Sequence, residues 1–480
     1  MSTEAGLPAE RLSRTGAAPK PGIVHLGPGA FFRAFNAVFT EDAMAAEPGD
    51  WGIVAVSLKS PAARDQMAPQ DGAYTSVTLG PEGAEYRVIG SVVRVLVAPE
   101  DPEKVLEAMC AGTTRIVSLT VTEKGYAHEP STGRLNLKHP DIAHDLAGGA
   151  PRSAVGFLVE ALARRRASGL AAFTVVTCDN LPSNGPLLRG LVLDFARARD
   201  ADLAEWIAAE VAFPATMVDR ITPATTEADI AALESAQGYR DPACVTHEPF
   251  RQWVIEDRFP TGRPAWDRVG AQMVTSVEAH ETMKLRCLNG THSTLAYLGY
   301  LAGYETIAET VADPDFARLC DRLWAEEIVP TLEQPEGEDL AAYCAALLER
   351  YRNPAIRHRT WQIAMDGSQK LPQRILGTLA DNLAAGRESP GLVLAVAGWM
   401  RYVGGVDERG EAIDVRDPLA DQLMAAWDGA EGAGAKASAL LGMREVFSAE
   451  LAGALQAPVS AALELLLDAG ARAAVKERVQ

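Results

Sequence analysis

Residues 22–35, GIVHLGPGAFFRAF, decide the fold of the N-terminal half of this 480-residue chain. A short apolar strand leads into a turn built on Gly27 and Gly29, and a segment with helical spacing follows. Where a first strand meets a first helix, two such glycines let the backbone approach a pyrophosphate closely. Phe32 stands where the third glycine of a dinucleotide fingerprint would lie, so a tight strand–helix turn without a ligand fits this region equally well.

The segments that follow this turn alternate between strand-like and helix-like patterns. Three further runs of apolar, β-branched residues predict buried strands, namely WGIVAVSL (51–58), RIVSLTV (115–121) and AAFTVVTCDN (171–180). YTSVTL (74–79) and EYRVIGSVVRVLV (85–97) are interpreted as a hairpin-like insertion. Strands that alternate with helices at this spacing favour an α/β fold with a doubly wound, Rossmann-type sheet, which we assign to residues 1–280.

The pattern changes near residue 281, where strand signals nearly vanish. Helical periods dominate in DPDFARLCDRLWAEEIV (313–329), LAAYCAALLERY (340–351) and VSAALELLLDAGARAAVKER (459–478). These periods predict a mainly α-helical C-terminal domain over residues 281–480.

Composition and charge narrow the range of functions. With 45 Lys and Arg against 64 Asp and Glu, the net charge is −19, the reverse of the basic footprint of nucleic-acid-binding proteins. The N-terminal segment lacks the apolar core of a signal peptide, and no run comes close to the roughly 18 apolar residues of a membrane span. The six cysteines are widely spaced and form no C-x-x-C pair, as expected for reduced thiols. We therefore expect a cytoplasmic protein with neither a nucleic-acid nor a membrane partner.

The end of the second predicted strand bears on the choice of coenzyme. Folds selective for NAD usually place Asp or Glu there, to bind the ribose 2′-hydroxyl. This chain has Lys59, Ser60 and Arg64 near that end, and cations there could accept a 2′-phosphate. NAD is the expected coenzyme, and NADP stays open as an alternative.

The stretch MKLRCLNGTHS (283–293) places polar residues along a segment that is otherwise helical and apolar. On a regular α-helix with Lys284 at zero, Glu281 falls at about 60°, His292 at about 80° and Asn289 at about 140°. Burying these groups without partners would be costly, so a face that collects them favours a site over a solvated surface.

This set suits hydride transfer to a ketone, the reverse of which oxidises a secondary alcohol. A lysine whose neighbours lower its pKa can exchange the hydroxyl proton, an asparagine can donate to the developing oxyanion, and a histidine can orient the substrate. No metal is required, and the eight histidines show neither H-x-x-x-H nor a Cys/His cluster at zinc spacing. The alternative is a dinucleotide-binding protein without catalytic activity, which the complete Lys, Asn and His set disfavours.

The pattern K-x-x-x-x-N-x-x-H, from Lys284 to His292, resembles the catalytic signature of the mannitol dehydrogenase family, the polyol-specific long-chain dehydrogenases. Four other segments agree with this resemblance, namely VTEKGY (121–126), CDNLPSNG (178–185), FPATMVDRITPA (213–224) and EPFRQWVIED (248–257). The likeness runs from about residue 22 to about residue 450. It implies a Rossmann-type N-terminal domain, a helical C-terminal domain and a metal-free active site that uses NAD.

The resemblance also implies roles for individual residues. Lys284 would be the general acid/base of the reaction. Asn180 and Asn289 would hold the substrate oxygen as an oxyanion hole, and His292 would bind and orient the substrate.

Further residues follow from the same resemblance. Glu281, Glu123 and Asp219 are candidates for a proton path or for tuning the catalytic lysine. Gly27 and Gly29, together with Glu123, are the residues expected to bind the cofactor. The family usually has two histidines shortly after the glycine turn, where this chain has Phe32 and Phe35, so no further site is placed there.

The segment RHRTWQIAMDGSQKLPQR (357–374) distinguishes branches of this family. It resembles the members that interconvert D-fructuronate and D-mannonate, whose substrates carry a carboxylate. We expect Lys370, with Arg374 or Arg359, to bind that carboxylate, because carboxylates favour charge-assisted partners. The alternatives are a mannitol or arabinitol 2-dehydrogenase acting on neutral polyols and a tagaturonate reductase.

Overall fold

The structure, a computed structural model, describes residues 10–129 and 132–480. Residues 1–9 lie outside the described residues. They are part of the N-terminal segment in which the sequence predicts no signal peptide. The chain forms two compact units: the first ends at Glu278 and the second begins at Ala279.

The first unit is built around a five-stranded parallel sheet. In chain order its strands are Pro21–Leu26 (β1), Gly52–Ser57 (β2), Val92–Val97 (β3), Ile116–Leu119 (β4) and Thr174–Thr177 (β5). All neighbouring pairs are parallel, and the spatial order is β3-β2-β1-β4-β5. This order reverses direction between β1 and β4, as in dinucleotide-binding sheets, and it confirms the predicted Rossmann-type fold.

Burial on both faces explains the composition of these strands. Successive residues of one strand point to opposite faces, so Ile23 and Val24 pack into two different hydrophobic clusters, as do Ile53 and Val54. The helices that flank the strands in sequence are Ala30–Ala34, Asn36–Ala46, Ala62–Met67, Pro102–Cys110, Pro140–Leu146, Ala154–Ala167, Asn184–Arg199, Ala201–Glu210 and Glu227–Gln237.

The segment 85–97 differs from its prediction. Tyr74–Gly80 and Gly83–Ile89 form the expected antiparallel hairpin, but Val92–Val97 is the edge strand β3 of the main sheet. The chain changes sheet at Ser91, whose hydroxyl donates to the carbonyl oxygen of Ala37 in the first long helix. The sequence pattern could not reveal this because both halves of the segment have the same β-branched texture.

Smaller sheets complete the first unit. Val245–His247 pairs in parallel with Tyr74–Gly80. The remaining pairs join Thr216–Asp219 to Gln252–Glu256, Gln252–Glu256 to Gln272–Val274, Glu10–Arg11 to Tyr239–Arg240, and His128–Glu129 to Arg134–Leu135.

The second unit is helical, which confirms the predicted C-terminal fold. Its α-helices are Glu278–Met283, Thr291–Leu301, Ile307–Ala312, Pro314–Arg322, Leu340–Tyr351, Thr360–Ala364, Gly367–Leu371, Gly377–Ala384, Pro390–Val403, Ala420–Asp428, Gly432–Leu441 and Ala449–Val479. Wider π-helical turns occupy Lys284–Gly290, Leu323–Ile328 and Pro372–Leu376. One hydrophobic cluster runs through the whole unit, with Pro390–Val403 packed between Thr291–Leu301 and Ala449–Val479.

The last helix, Ala449–Val479, is long and apolar enough to cross a membrane by length and composition alone. Core helices of globular proteins meet the same criterion, so this is weak evidence for a membrane span. Its buried residues Leu455, Val459 and Leu463 belong to the hydrophobic cluster of the unit. Gly470, with φ 82° and ψ 167°, interrupts the helical backbone near the C-terminus.

Candidate active site

The glycine turn after β1 is fixed by close backbone contacts. Gly27 has φ 95°, and a Cβ atom there would lie 2.2 Å from the carbonyl oxygen of Thr120. Its N–H donates to the carbonyl oxygen of Val56 at 2.9 Å, so the turn is held between the ends of β2 and β4. A side chain at Gly27 would both clash and strain the backbone, which explains the need for glycine.

His25 stabilises this turn through hydrogen bonds of its ring, a role that the sequence did not predict. The imidazole is fully buried, with Nδ1 2.8 Å from the Ser118 hydroxyl and Nε2 2.9 Å from the Thr120 hydroxyl. Burial lowers the pKa of His25 to about 3, so the ring is neutral. Phe32 stacks on it with ring centroids 3.8 Å apart, which gives this phenylalanine a packing role beneath the turn.

A cleft of about 450 Å³ opens at this turn, within the size range of small-molecule sites. Gly27 and Gly29 both line it, and the position where Gly29 would carry a Cβ atom has no neighbour within 4 Å. The cleft is lined by four cationic side chains and one carboxylate, namely Arg33, Lys59, Lys124, Arg152 and Asp141. Its position at the sheet reversal and its positive lining fit a dinucleotide with its pyrophosphate.

The end of β5 is tied to the loop that follows β4. The buried carboxylate of Asp179 accepts hydrogen bonds from the N–H groups of Val121 (3.0 Å) and Thr122 (2.8 Å) and from the hydroxyl of Tyr126 (2.6 Å). Thr122 has φ 64° and ψ 165°, a strained conformation for a residue with a side chain, and the Asp179 contact holds it there. Asp179 was not among the predicted site residues, because the sequence pattern pointed to its neighbour Asn180.

The predicted residues of the first unit occupy different environments. Asn180 follows Asp179 directly and is exposed. Glu123 is also exposed at the start of the turn Glu123–Tyr126, whose Lys124 and Gly125 line the cleft. Asp219 is buried at the end of the strand Thr216–Asp219.

In the second unit, the predicted catalytic segment is not a regular α-helix. Residues Lys284–Gly290 form a π-helical turn, so the angles expected for 3.6 residues per turn do not apply. Residues five apart are joined by the backbone hydrogen bonds of a π-helix, which brings Lys284 and Asn289 closer to alignment than the sequence predicted. Lys284 is 8% exposed, while Asn289 and Glu281 are partly exposed. Such π turns are frequent at functional sites.

Gly290 lets the π turn Lys284–Gly290 approach a second π turn, Pro372–Leu376. A Cβ atom at Gly290 would lie 2.6 Å from the carbonyl oxygen of Arg374. The segment that carries Lys284 is therefore in direct backbone contact with the segment that carries Arg374, a residue predicted to bind the substrate carboxylate.

His292 lies among cations. Its ring stacks with Tyr351 at 5.4 Å and meets His358 at 4.5 Å between centroids. Burial first, and then neighbouring cations that include Arg374, hold the pKa of His292 well below its ordinary value. Within the part of the chain that the structure describes, its Nε2 atom has no hydrogen-bond partner.

Lys370 and Arg374 are two of the cations predicted to bind a substrate carboxylate, and they lie close enough for the charge of Arg374 to act on Lys370. The Lys370 ammonium donates to the carbonyl oxygens of Met365 (2.6 Å) and Ile363 (3.3 Å), which leaves one of its three N–H donors for a ligand. Burial and the charge of Arg374 lower the pKa of Lys370 to about 8. Arg374 is partly buried and donates to the hydroxyl of Ser293 at 3.1 Å.

Arg359 lies in a different setting from this pair. Its side chain is 53% exposed, and its Nε atom lies 3.5 Å from the carboxylate of Glu305. Arg359 therefore forms a surface ion pair. Arg374, the other predicted partner of Lys370, lies near His292.

No group of three or more His, Cys, Asp or Glu residues that could hold a metal ion occurs among the residues that the structure describes.

Comparison with known proteins agrees with this arrangement. The model of the mannitol dehydrogenase Rossmann domain matches residues 21–268, and that of the mannitol dehydrogenase C-terminal domain matches residues 276–467. The D-mannonate oxidoreductase of Escherichia coli (strain K12) is 47% identical over 98% of each chain.

Two solved structures are similar over nearly the whole chain. The Pseudomonas fluorescens mannitol 2-dehydrogenase, in a ternary complex with NAD and D-mannitol, is 38% identical, covers 98% of this chain and 97% of its own, and has a TM-score of 0.81. A D-sorbitol dehydrogenase in substrate-free form is 32% identical over 98% of each chain, with a TM-score of 0.90. This chain therefore belongs to the mannitol dehydrogenase family of NAD-dependent secondary-alcohol dehydrogenases.

Proposed function

We propose that this enzyme interconverts D-fructuronate and D-mannonate. The observation that carries the proposal is the pair of cations Lys370 and Arg374 beside His292, in the helical unit. Each cation is partly buried, and burial, followed by the charge of Arg374, lowers the pKa of Lys370. An anionic ligand would relieve this repulsion, which makes the pair a receptor for a carboxylate rather than for another hydroxyl.

Neutral polyols are the principal alternative. They carry no charge to balance the two cations, although relatives named for mannitol and sorbitol are similar over the same length. The relative named for D-mannonate has the higher identity, 47% against 42% for relatives named mannitol 2-dehydrogenase. D-tagaturonate carries the same carboxylate as D-fructuronate and differs at one carbon, so it is the nearest competitor among sugar acids.

The proposed mechanism assigns the proton to Lys284. Gly27 and Gly29 line the cleft that would hold NAD, which would supply hydride-transfer chemistry at the alcohol carbon of D-mannonate. In oxidation Lys284 takes the hydroxyl proton as the C–O bond becomes a carbonyl, and in reduction it supplies that proton. Lys284 is largely buried, which suits proton exchange with a bound substrate rather than with bulk water.

Neutral donors would stabilise the oxygen between these states. Asn289, on the same π turn as Lys284, can donate to the developing oxyanion without adding charge. The family resemblance assigns the same task to Asn180. His292 is held neutral by its surroundings and would orient the sugar through its unpartnered ring nitrogen. Its Nε2 atom lacks a hydrogen-bond partner among the described residues. Within this proposal the enzyme is a cytoplasmic one that needs neither a metal nor a macromolecular partner.

The first test measures NADH oxidation by the purified protein with D-fructuronate, D-tagaturonate and D-fructose in separate reactions. We expect D-fructuronate to give the highest kcat/KM, and EDTA to leave that rate unchanged. A preference for D-fructose would overturn the substrate assignment, and a preference for D-tagaturonate would overturn its stereochemical part alone. An EDTA-sensitive rate would contradict the metal-free mechanism.

The second test concerns Lys284. Replacing it with Ala should lower kcat by about 10²- to 10⁴-fold, the usual range for loss of a general acid/base. NADH binding, followed by the change in nicotinamide fluorescence, should persist. A Lys284→Ala variant that keeps most of its activity near neutral pH would rule out this mechanism.

A further inference from the structure

The end of β2 raises a question about coenzyme selection. The strand ends at Ser57, and Leu58, Lys59 and Ser60 follow it into the cleft without the carboxylate that usually selects NAD. An exposed lysine at this position is a natural receptor for the 2′-phosphate of NADP. Family membership nevertheless indicates NAD, so something other than the strand end must supply the selection.

A carboxylate reaches Lys59 from another element. Asp141, in the first turn of the helix Pro140–Leu146, places its Oδ2 atom 3.0 Å from the Lys59 ammonium. Both residues line the cleft beside the glycine turn. The backbone N–H of Asp141 donates to Nδ1 of His139 at 3.3 Å, which fixes the start of that helix.

The second cation of this loop is also paired. Arg64 donates to both carboxylate oxygens of Glu100, at 2.6 and 3.1 Å, and to Asp65 at 2.6 Å. Both cations that follow β2 are therefore paired with a carboxylate. Among the residues that the structure describes, only the pair of Lys59 with Asp141 lines the cleft.

We propose that Asp141 is a specificity-determining residue that makes this cleft favour NAD over NADP. Its negative charge neutralises Lys59 and repels a 2′-phosphate, so it takes over the task of the carboxylate that is missing after β2. The ion pair is exposed, with Lys59 77% and Asp141 24% exposed, so it adds little to folding stability. Its main effect is on the charge that a phosphate meets near Lys59, within the screening distance of about 8 Å at physiological salt.

The test uses two fragments of the coenzymes, 5′-AMP and 2′,5′-ADP, which differ by the 2′-phosphate. Their dissociation constants are measured by isothermal titration calorimetry on the full-length protein, without any sugar. We expect Asp141→Asn to tighten binding of 2′,5′-ADP by about 3- to 10-fold and to leave 5′-AMP within about twofold, because one surface charge changes and no contact to the common part does. The gain should shrink as salt is added.

Two further variants isolate the pair. In the double variant Lys59→Ala with Asp141→Asn, the gain for 2′,5′-ADP should disappear, because the freed cation is no longer present. Asp202→Asn, which removes a first-turn carboxylate from the exposed start of the helix Ala201–Glu210, is the matched control and should change neither constant.

Some outcomes would overturn the proposal. These are an unchanged ratio of the two constants in Asp141→Asn, equal tightening of both fragments, or a gain that survives the loss of Lys59. Retained 5′-AMP binding shows that the variant is folded. Because no sugar is present, the result is independent of whether D-fructuronate is the substrate.

Discussion

In the helical unit, the imidazole of His292 meets that of His358 with ring centroids 4.5 Å apart and planes 66° apart. Burial comes first among the causes that lower the pKa of both rings, and it brings that of His358 to about 4. Both rings are therefore neutral near pH 7, and each offers one donor and one acceptor nitrogen. A neutral pair of this kind suits the hydroxyls of the sugar acid that we propose as the substrate.

Replacing His358 with Gln should disturb this arrangement without adding charge. An aromatic pair contributes about 0.5–1.5 kcal/mol beyond its buried area, so we expect kcat/KM for the sugar acid to fall about 2- to 10-fold. Steady-state kinetics measures this change, with His144→Gln in the other unit as the control. Unaltered kinetics in His358→Gln would show that the ring contact does not position His292.

Gly290 is expected to tolerate no side chain. A Cβ atom there would meet the carbonyl oxygen of Arg374 at 2.6 Å, so Gly290→Ala must separate the two π turns. Overpacking of this kind costs about 1–3 kcal/mol, and activity should fall together with Tm. The matched control is Gly453→Ala, at a helix position where a Cβ atom has no neighbour within 4 Å, which should leave Tm unchanged or slightly raised. If both variants melt alike, the close approach at Gly290 is not needed.

Asp179 should determine the conformation of the loop that begins at Val121. In Asp179→Asn the amide offers one acceptor where the carboxylate has two, and its NH₂ group would oppose the N–H donors of the loop. We expect a loss of about 1–3 kcal/mol in the free energy of unfolding from urea titration, because buried donors lose their partner. Hydrogen exchange at residues 121–126 should rise as well. Exchange that matches the Asp202→Asn control would argue against this role.

The pH dependence of sugar-acid binding should follow Lys370. Its pKa is lowered to about 8, so the amine carries its charge below that pH and loses it above. We therefore expect kcat/KM for D-fructuronate to fall as pH rises through about 8, since kcat/KM reports ionisations of the free enzyme and substrate. D-fructose, which has no carboxylate, is the control and should lack this decline. A profile shared by both sugars would assign the ionisation to another group.

The sequence predicted the architecture because its signals are local. Apolar strands, the glycine turn and helical periods each lie within a few residues, and they define the Rossmann-type unit and the helical unit. The sequence did not predict features that depend on contacts between residues that are distant along the chain. The two halves of segment 85–97 have the same β-branched pattern, and the chain passes from the hairpin to the main sheet at Ser91, whose hydroxyl donates to Ala37.

The same distinction applies to the site. The spacing from Lys284 to His292 predicted a catalytic segment, but not the π turn that changes which of its residues align. His25 was hidden within an apolar strand, although its ring bonds to two hydroxyls beneath the glycine turn. Lys59 and Asp141 are 82 positions apart, so no motif links them.

The most direct test of the central claim compares one specificity ratio in two proteins. The ratio is kcat/KM for D-fructuronate divided by kcat/KM for D-fructose, measured with NADH for the wild type and for Lys370→Met. Loss of a charge-assisted hydrogen bond costs about 1.5–3 kcal/mol, so the ratio should fall by about 10- to 100-fold in Lys370→Met and stay unchanged in the surface control Lys476→Met. If Lys370→Met lowers both rates equally, Lys370 does not bind the carboxylate. If the wild type favours D-fructose, the proposed substrate is wrong.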